Sequence, residues 1–159
     1  MVDKNQAIID FLLDCPAIMY NPLFFNFLQA QDENKQIIVQ SNDKVINQRY
    51  IDGSVMKRFT FSIVDFRSVT YQPLPKVTGY TSENVEELLD VQGIMDWINE
   101  QAEAENYPDF GEDCFIDNMT TTAENPNLDG VDTSVTPALA KYSMSIQIDY
   151  LDKSKMLWK

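Results

Sequence analysis

The chain has 159 residues, of which 44% are hydrophobic, 11% aromatic and 23% charged, a size and composition that suit one globular domain and not a disordered chain. It carries 25 acidic residues against 12 basic ones and no histidine, for a formal net charge of −13. That balance excludes duplex-DNA reading through a basic face, and the missing imidazole excludes histidine triads, histidine general bases and histidine-ligated zinc.

At the N-terminus, Ile8, Phe11, Leu12 and Cys15 repeat at i, i+3, i+4 and i+7, which predicts a helix with one buried face, closed before Pro16. Asp10 and Asp14 interrupt its apolar run and no basic lead-in precedes it, so it does not read as a secretory signal. No segment approaches the eighteen or so apolar residues of a membrane span. The expectation is a soluble protein made in the cytosol. Cys15 and Cys114 then read as small buried hydrophobes in a reducing compartment. Residues 23–28 and 36–40 read as two strands joined by a hairpin-like loop over the polar break 31–34. The turn Asp52-Gly53-Ser54 leads into the longest strand candidate, 55–71. There Phe59, Phe61 and Ile63 share one face before Val64 and Phe66 take over, a change of phase that predicts a β-bulge near Ile63-Val64.

Residues 81–104 predict a second helix, capped by Thr81 or Ser82, with Glu83, Glu86 and Glu87 at the positive end of its dipole. Its apolar stripe is Leu88, Val91, Met95, Ile98 and Ala102. A strand over 114–121 follows, then a long Asn/Asp-rich loop over 122–137. The last strand is the clearest, because Tyr142, Met144, Ile146, Ile148 and Tyr150 alternate with polar residues. Helix, three strands, helix, two strands is the order of a single α+β domain over 1–159: a mostly antiparallel sheet with both helices on one face. The loop 122–137 and the tail 154–159 are its candidate interaction arms.

The charge is one-sided. Between Lys76 and Lys141 there is no lysine or arginine, while 15 of the 25 acids fall there. A run of that kind reads as a solvated face, or as a surface that meets a basic partner or slides past a polyanion. Asn125, Asn127, Asp129 and Gly130 match part of a calcium-loop pattern, but Thr136 stands where the bidentate glutamate belongs, so they read first as Asx-turns. No phosphate-binding, dinucleotide-binding or nucleophile-elbow motif occurs. Neither catalytic, nor metal, nor cofactor residues are assigned, and no cofactor is expected.

Six strings carry a resemblance: Asn21-Pro-Leu-Phe-Phe-Asn-Phe27; Tyr50-Ile-Asp-Gly-Ser54 running into Lys57-Arg-Phe-Thr-Phe61; Trp97-Ile-Asn-Glu-Gln101; Asn106-Tyr-Pro-Asp-Phe-Gly111; Gly130-Val-Asp-Thr-Ser134; and Tyr142-Ser-Met-Ser-Ile-Gln-Ile148. Through them, in order along nearly the whole chain, the sequence resembles the small minor capsid and tail-completion proteins of siphophages and prophages of Gram-positive bacteria. The resemblance implies a non-enzymatic virion protein at the head–tail junction, a tail terminator. It would form a homo-oligomeric ring, commonly a hexamer, that caps the tail tube and meets the major tail protein and the head connector. It also implies a tail-terminator-like fold.

DNA would pass through such a ring without specific binding. The expectation is that Glu83, Glu86, Glu87, Asp90, Glu112 and Asp113 face the channel, and that Lys57, Arg58, Arg67, Leu157 and Trp158 meet neighbouring subunits or partners. Three other readings stay open on the residues: a head-closure or connector protein, an acidic monomeric binding module that mimics DNA towards a basic partner, and a carboxylate-based hydrolase.

Overall fold

The computed structural model describes residues 3–18, 23–25, 36–46, 49–69, 83–134 and 138–157. The elements, in chain order, are α1 (Lys4–Leu13), β1 (Leu23–Phe25), β2 (Gln36–Val45), β3 (Val55–Val69), α2 (Glu83–Glu103), β4 (Cys114–Thr121), β5 (Asn127–Asp132) and β6 (Ala138–Asp152). This is an α+β architecture, two helices against a mostly antiparallel sheet, as the periodicity predicts. Among the described residues no helix is long and apolar enough to cross a membrane.

β3 and β6, each 15 residues long, form the centre of the sheet and pair without a break from Val55↔Asp152 to Val69↔Ala138. β2 pairs antiparallel with β3 on the other side, and β1 adds to β2. Directly opposed residues of paired strands share a face. Phe59, Phe61 and Ile63 therefore stand beside Ile148, Ile146 and Met144 on the face that receives the helices. Val91, Ile94, Met95 and Ile98 of α2 and Ala7, Ile8, Phe11 and Leu12 of α1 complete that core. The two helices touch through Phe11 and Trp97, whose ring centroids are 4.9 Å apart.

Local chemistry explains the helix ends. The Asp3 side chain caps α1 by accepting the Asn5 amide at 2.9 Å. α2 ends in a Schellman-type turn: the Asn106 amide returns to the Gln101 carbonyl and the Glu105 amide to that of Ala102, with Glu105 at φ 54°.

Four expectations are corrected. β1 and β2 do not form a hairpin; Leu23, Phe24 and Phe25 pair in parallel with Ile37, Ile38 and Val39. An apolar run specifies a strand but not its direction. β3 occupies one edge of β2, and β1 takes the other.

The phase change in β3 is no bulge, for its register with β2 and β6 is continuous. Instead the strand is buried on both faces at residues 63–67, so apolar side chains follow one another there. The bulges lie at the sheet edge, between Ile116 and Asn118 in β4 and between Leu128 and Gly130 in β5.

Nor is 122–137 one long loop: β5 forms inside it. β4 takes Asp152 to Ile146 of β6, and β5 takes Ser143 to Leu139 of the same edge. The two behave as one edge strand interrupted by a five-residue excursion, which the polar, Asn/Asp-rich composition hides.

Finally, Leu88, expected in the buried stripe of α2, is exposed, while Ile94 is fully buried.

Candidate interaction surfaces

Asp65 and Arg67 lie two residues apart in β3, so both point toward the helices. They are 0% and 1% exposed. Arg67 binds the Asp65 carboxylate through Nε at 3.0 Å and Nη2 at 2.8 Å, and its Nη1 lies 3.4 Å from Glu87 and 3.4 Å from Asp90 of α2. Burial pushes the Asp65 carboxyl up to about 6, against the hydrogen bonds and charge of Arg67 that pull it down. Arg67 was expected to face a partner, and this is a correction: its guanidinium is consumed in fastening the start of α2 to the sheet. The sequence held a readable signal, since an acid and a base at i, i+2 inside an apolar strand must share a face.

Lys57 and Arg58 are neighbours in β3 and so fall on opposite faces. Lys57 pairs with Asp152 at 2.8 Å on the helix side, and Arg58 pairs with Asp149 at 2.8 Å on the other. Both stay partly exposed, but they do not form one patch. Burial works against the Asp152 carboxylate, yet the bonds from Lys57 and Ser154 hold it below the usual carboxylate range.

Next to this pair, the Tyr150 hydroxyl donates to both carboxylate oxygens of Asp43 at 2.9 Å, and Lys4 lies 3.8 Å from Asp43. Burial, then the Asp43 carboxylate, raises the Tyr150 phenol above its ordinary value. A cleft of about 590 Å³ opens here, with Lys4, Lys57 and Lys155 facing Glu112, Asp113 and Asp152.

The C-terminal tail is fastened to the molecule as far as Leu157. The Lys153 amide donates to the Asp113 carbonyl at 2.7 Å, and the Leu157 amide to the Asp52 carbonyl at 2.8 Å. Gly53, at φ 90°, sits beneath it, where a Cβ would run into the Lys155 carbonyl. Residues 154–157 are therefore not a free arm, although the Leu157 side chain is 70% exposed. Trp158 lies outside the described residues.

The six acids expected at a channel separate into two groups. Glu86 and Asp90 are exposed on α2, with Glu87 half-buried beside Arg67. Glu83 opens the same helix, but its side chain lies outside the described residues. Glu112 and Asp113 are at the other end of the sheet, against the lysines of the cleft.

Cys15 and Cys114 are free thiols, and burial pushes the pKa of each up. Among the described residues no group of three Cys, Asp or Glu side chains is arranged to hold a metal ion. Compared with known proteins, the sequence matches no protein-family model and no curated protein.

Proposed function

We propose that the chain is a non-enzymatic structural protein of a phage virion, acting as a tail terminator that assembles into a ring between the tail tube and the head connector. The resemblance along the sequence names that role. The structural observation that supports it is the outer face of α2. Glu86, Asp90, Asp96, Glu100 and Glu103 are all exposed along one 21-residue helix that has no lysine or arginine. From Glu86 to Glu103 these acids span about 26 Å of helix, with Val85 and Leu89 exposed among the first of them. Turned toward a lumen, the acids repel the phosphates of passing DNA and keep the duplex from adhering. The channel wall in this reading is α2. Glu112 and Asp113, which line the lysine-bearing cleft at the opposite end of the sheet, are not part of it.

Particles that lack this chain test the reading. The expected outcome is filled heads without attached tails, beside tail tubes of unregulated length. Tubes of normal length with unjoined heads would favour a head-closure protein, and intact joined virions would refute both roles.

A further inference from the structure

Two exposed apolar corners of the sheet differ in charge and lie diagonally opposite each other. At the first, two hydrogen bonds identify the flank of α2 that faces the β4–β5 edge: Gln92 to the Glu124 carbonyl at 3.2 Å, and Thr121 to Asn99 at 3.3 Å. Leu88, one turn before Gln92, continues that flank toward β5. Arg67 sets the level, because it touches Glu87 and Asp90 of α2 from the row Arg67–Ala140–Val131.

Leu88 thus stands at the height of Val131 and Leu128. These two pair with Ala140 and Tyr142 and so project from the helix side of the sheet. All three are exposed, and Asp129 and Asp132 flank them. Among the described residues no strand covers the outer edge of β5. Exposed apolar side chains beside an open edge are what a covering partner removes from water.

The second corner is the end of β2 and the turn after it: Lys44, Val45, Ile46, Arg49 and Ile51, the last 94% exposed. Of the acids beside it, Asp43 is paired with Lys4 and accepts the Tyr150 hydroxyl, while Asp52 caps Ser54 and keeps its charge. Lys44 and Arg49 therefore leave the corner with a net positive charge beside its exposed apolar groups. Val45 pairs with Lys57, ten residues along β3 from Arg67, which separates the corners by about 33 Å along the strands and about 14 Å across them.

We propose that copies of this chain associate head to tail, the acidic Leu88–Leu128–Val131 corner of one receiving the basic Lys44–Ile51 corner of the next. The inference rests on the homo-oligomeric reading above and assigns its interface. A second copy is the occupant because the two corners, both exposed on one chain, carry opposite net charge beside exposed apolar groups. A contact between unlike patches leaves one of each open, so it propagates to a ring or a filament. Glu86 and Asp90 lie on the other flank of the helix and stay outside the contact, whereas Asp96, one turn after Gln92, continues the flank that faces the edge.

Sedimentation of the full chain across concentrations up to about 1 mM tests this, a range that reaches even weak contacts. One variant, Leu128→Lys with Val131→Lys, sets like charge against the partner's Lys44 and the partner's Arg49 and blocks the acidic corner; another, Lys44→Glu with Ile51→Asp, blocks the basic one. Circular dichroism checks that each stays folded, which their exposed positions favour. Wild type is expected to associate, each variant to weaken association at least about tenfold, and an equal mixture to form one-to-one dimers that grow no further. A wild type that remains monomeric throughout overturns the inference. Oligomers that survive either variant overturn this interface and leave the homo-oligomer standing. Variants that fail to pair when mixed overturn the head-to-tail geometry.

Discussion

Arg67 grips Asp65 from two residues away on the same strand, with both side chains out of water and the guanidinium extended to Glu87 and Asp90 on α2. One base thus joins sheet and helix and offsets the desolvation of a fully buried acid. Such a pair adds little over an apolar isostere, but halving it is costly, because the remaining charge has no compensation.

Arg67→Met is therefore expected to destabilise the fold by about 3–5 kcal/mol at neutral pH. Replacing both residues, Asp65→Leu with Arg67→Met, should cost clearly less than Arg67→Met alone. Urea denaturation of the two variants measures the difference.

The same group predicts the pH dependence. Folding raises the Asp65 pKa from its ordinary value of 3.8 to about 6, so the folded chain holds this proton more tightly than the unfolded one. Its contribution to stability then falls as pH rises from about 4 to about 6, by at most about 1.4 kcal/mol per pH unit, and is flat above. Asp152 has the opposite sign: its pKa is lowered, so its stabilisation is present above the unfolded value and lost as pH falls below about 4. Asp65→Asn should flatten the decline between pH 4 and 6 whatever its absolute stability. A denaturation series in pH steps reads that slope.

At Gly53 two constraints coincide, a backbone at φ 90° and no room for a Cβ beneath the Lys155 carbonyl. Gly53→Ala should cost more than about 1 kcal/mol. It should also release the tail, which hydrogen exchange detects as lost protection of the Leu157 amide, now bonded to Asp52.

Glu105 closes α2 in the left-handed region where glycine is the ordinary residue. It is exposed, so little packing is at stake. Glu105→Gly is expected to stabilise the fold by about 0.5–1 kcal/mol, seen as a higher midpoint in thermal unfolding.

Much of the architecture was legible because it is written in local periodicity. The alternation from Tyr142 to Tyr150 specifies β6, and Val91, Met95 and Ile98 specify the buried face of α2, since each pattern matches the geometry of one element. Of the residues the sequence assigns to an interface, Lys57 and Arg58 are legible as charges, but their allegiance to Asp152 and Asp149 is not, because those partners come from another strand.

The sequence by itself determined the class of fold, the two helices, the central strands and the one-sided placement of acids. Only the tertiary structure decided that β1 runs parallel to β2, that β5 continues the edge begun by β4, that Arg67 is buried, and that Leu88 meets the level of Val131. Each of these depends on which distant segments lie side by side. Periodicity tells a residue which way to face, and pairing over long loops decides what it faces.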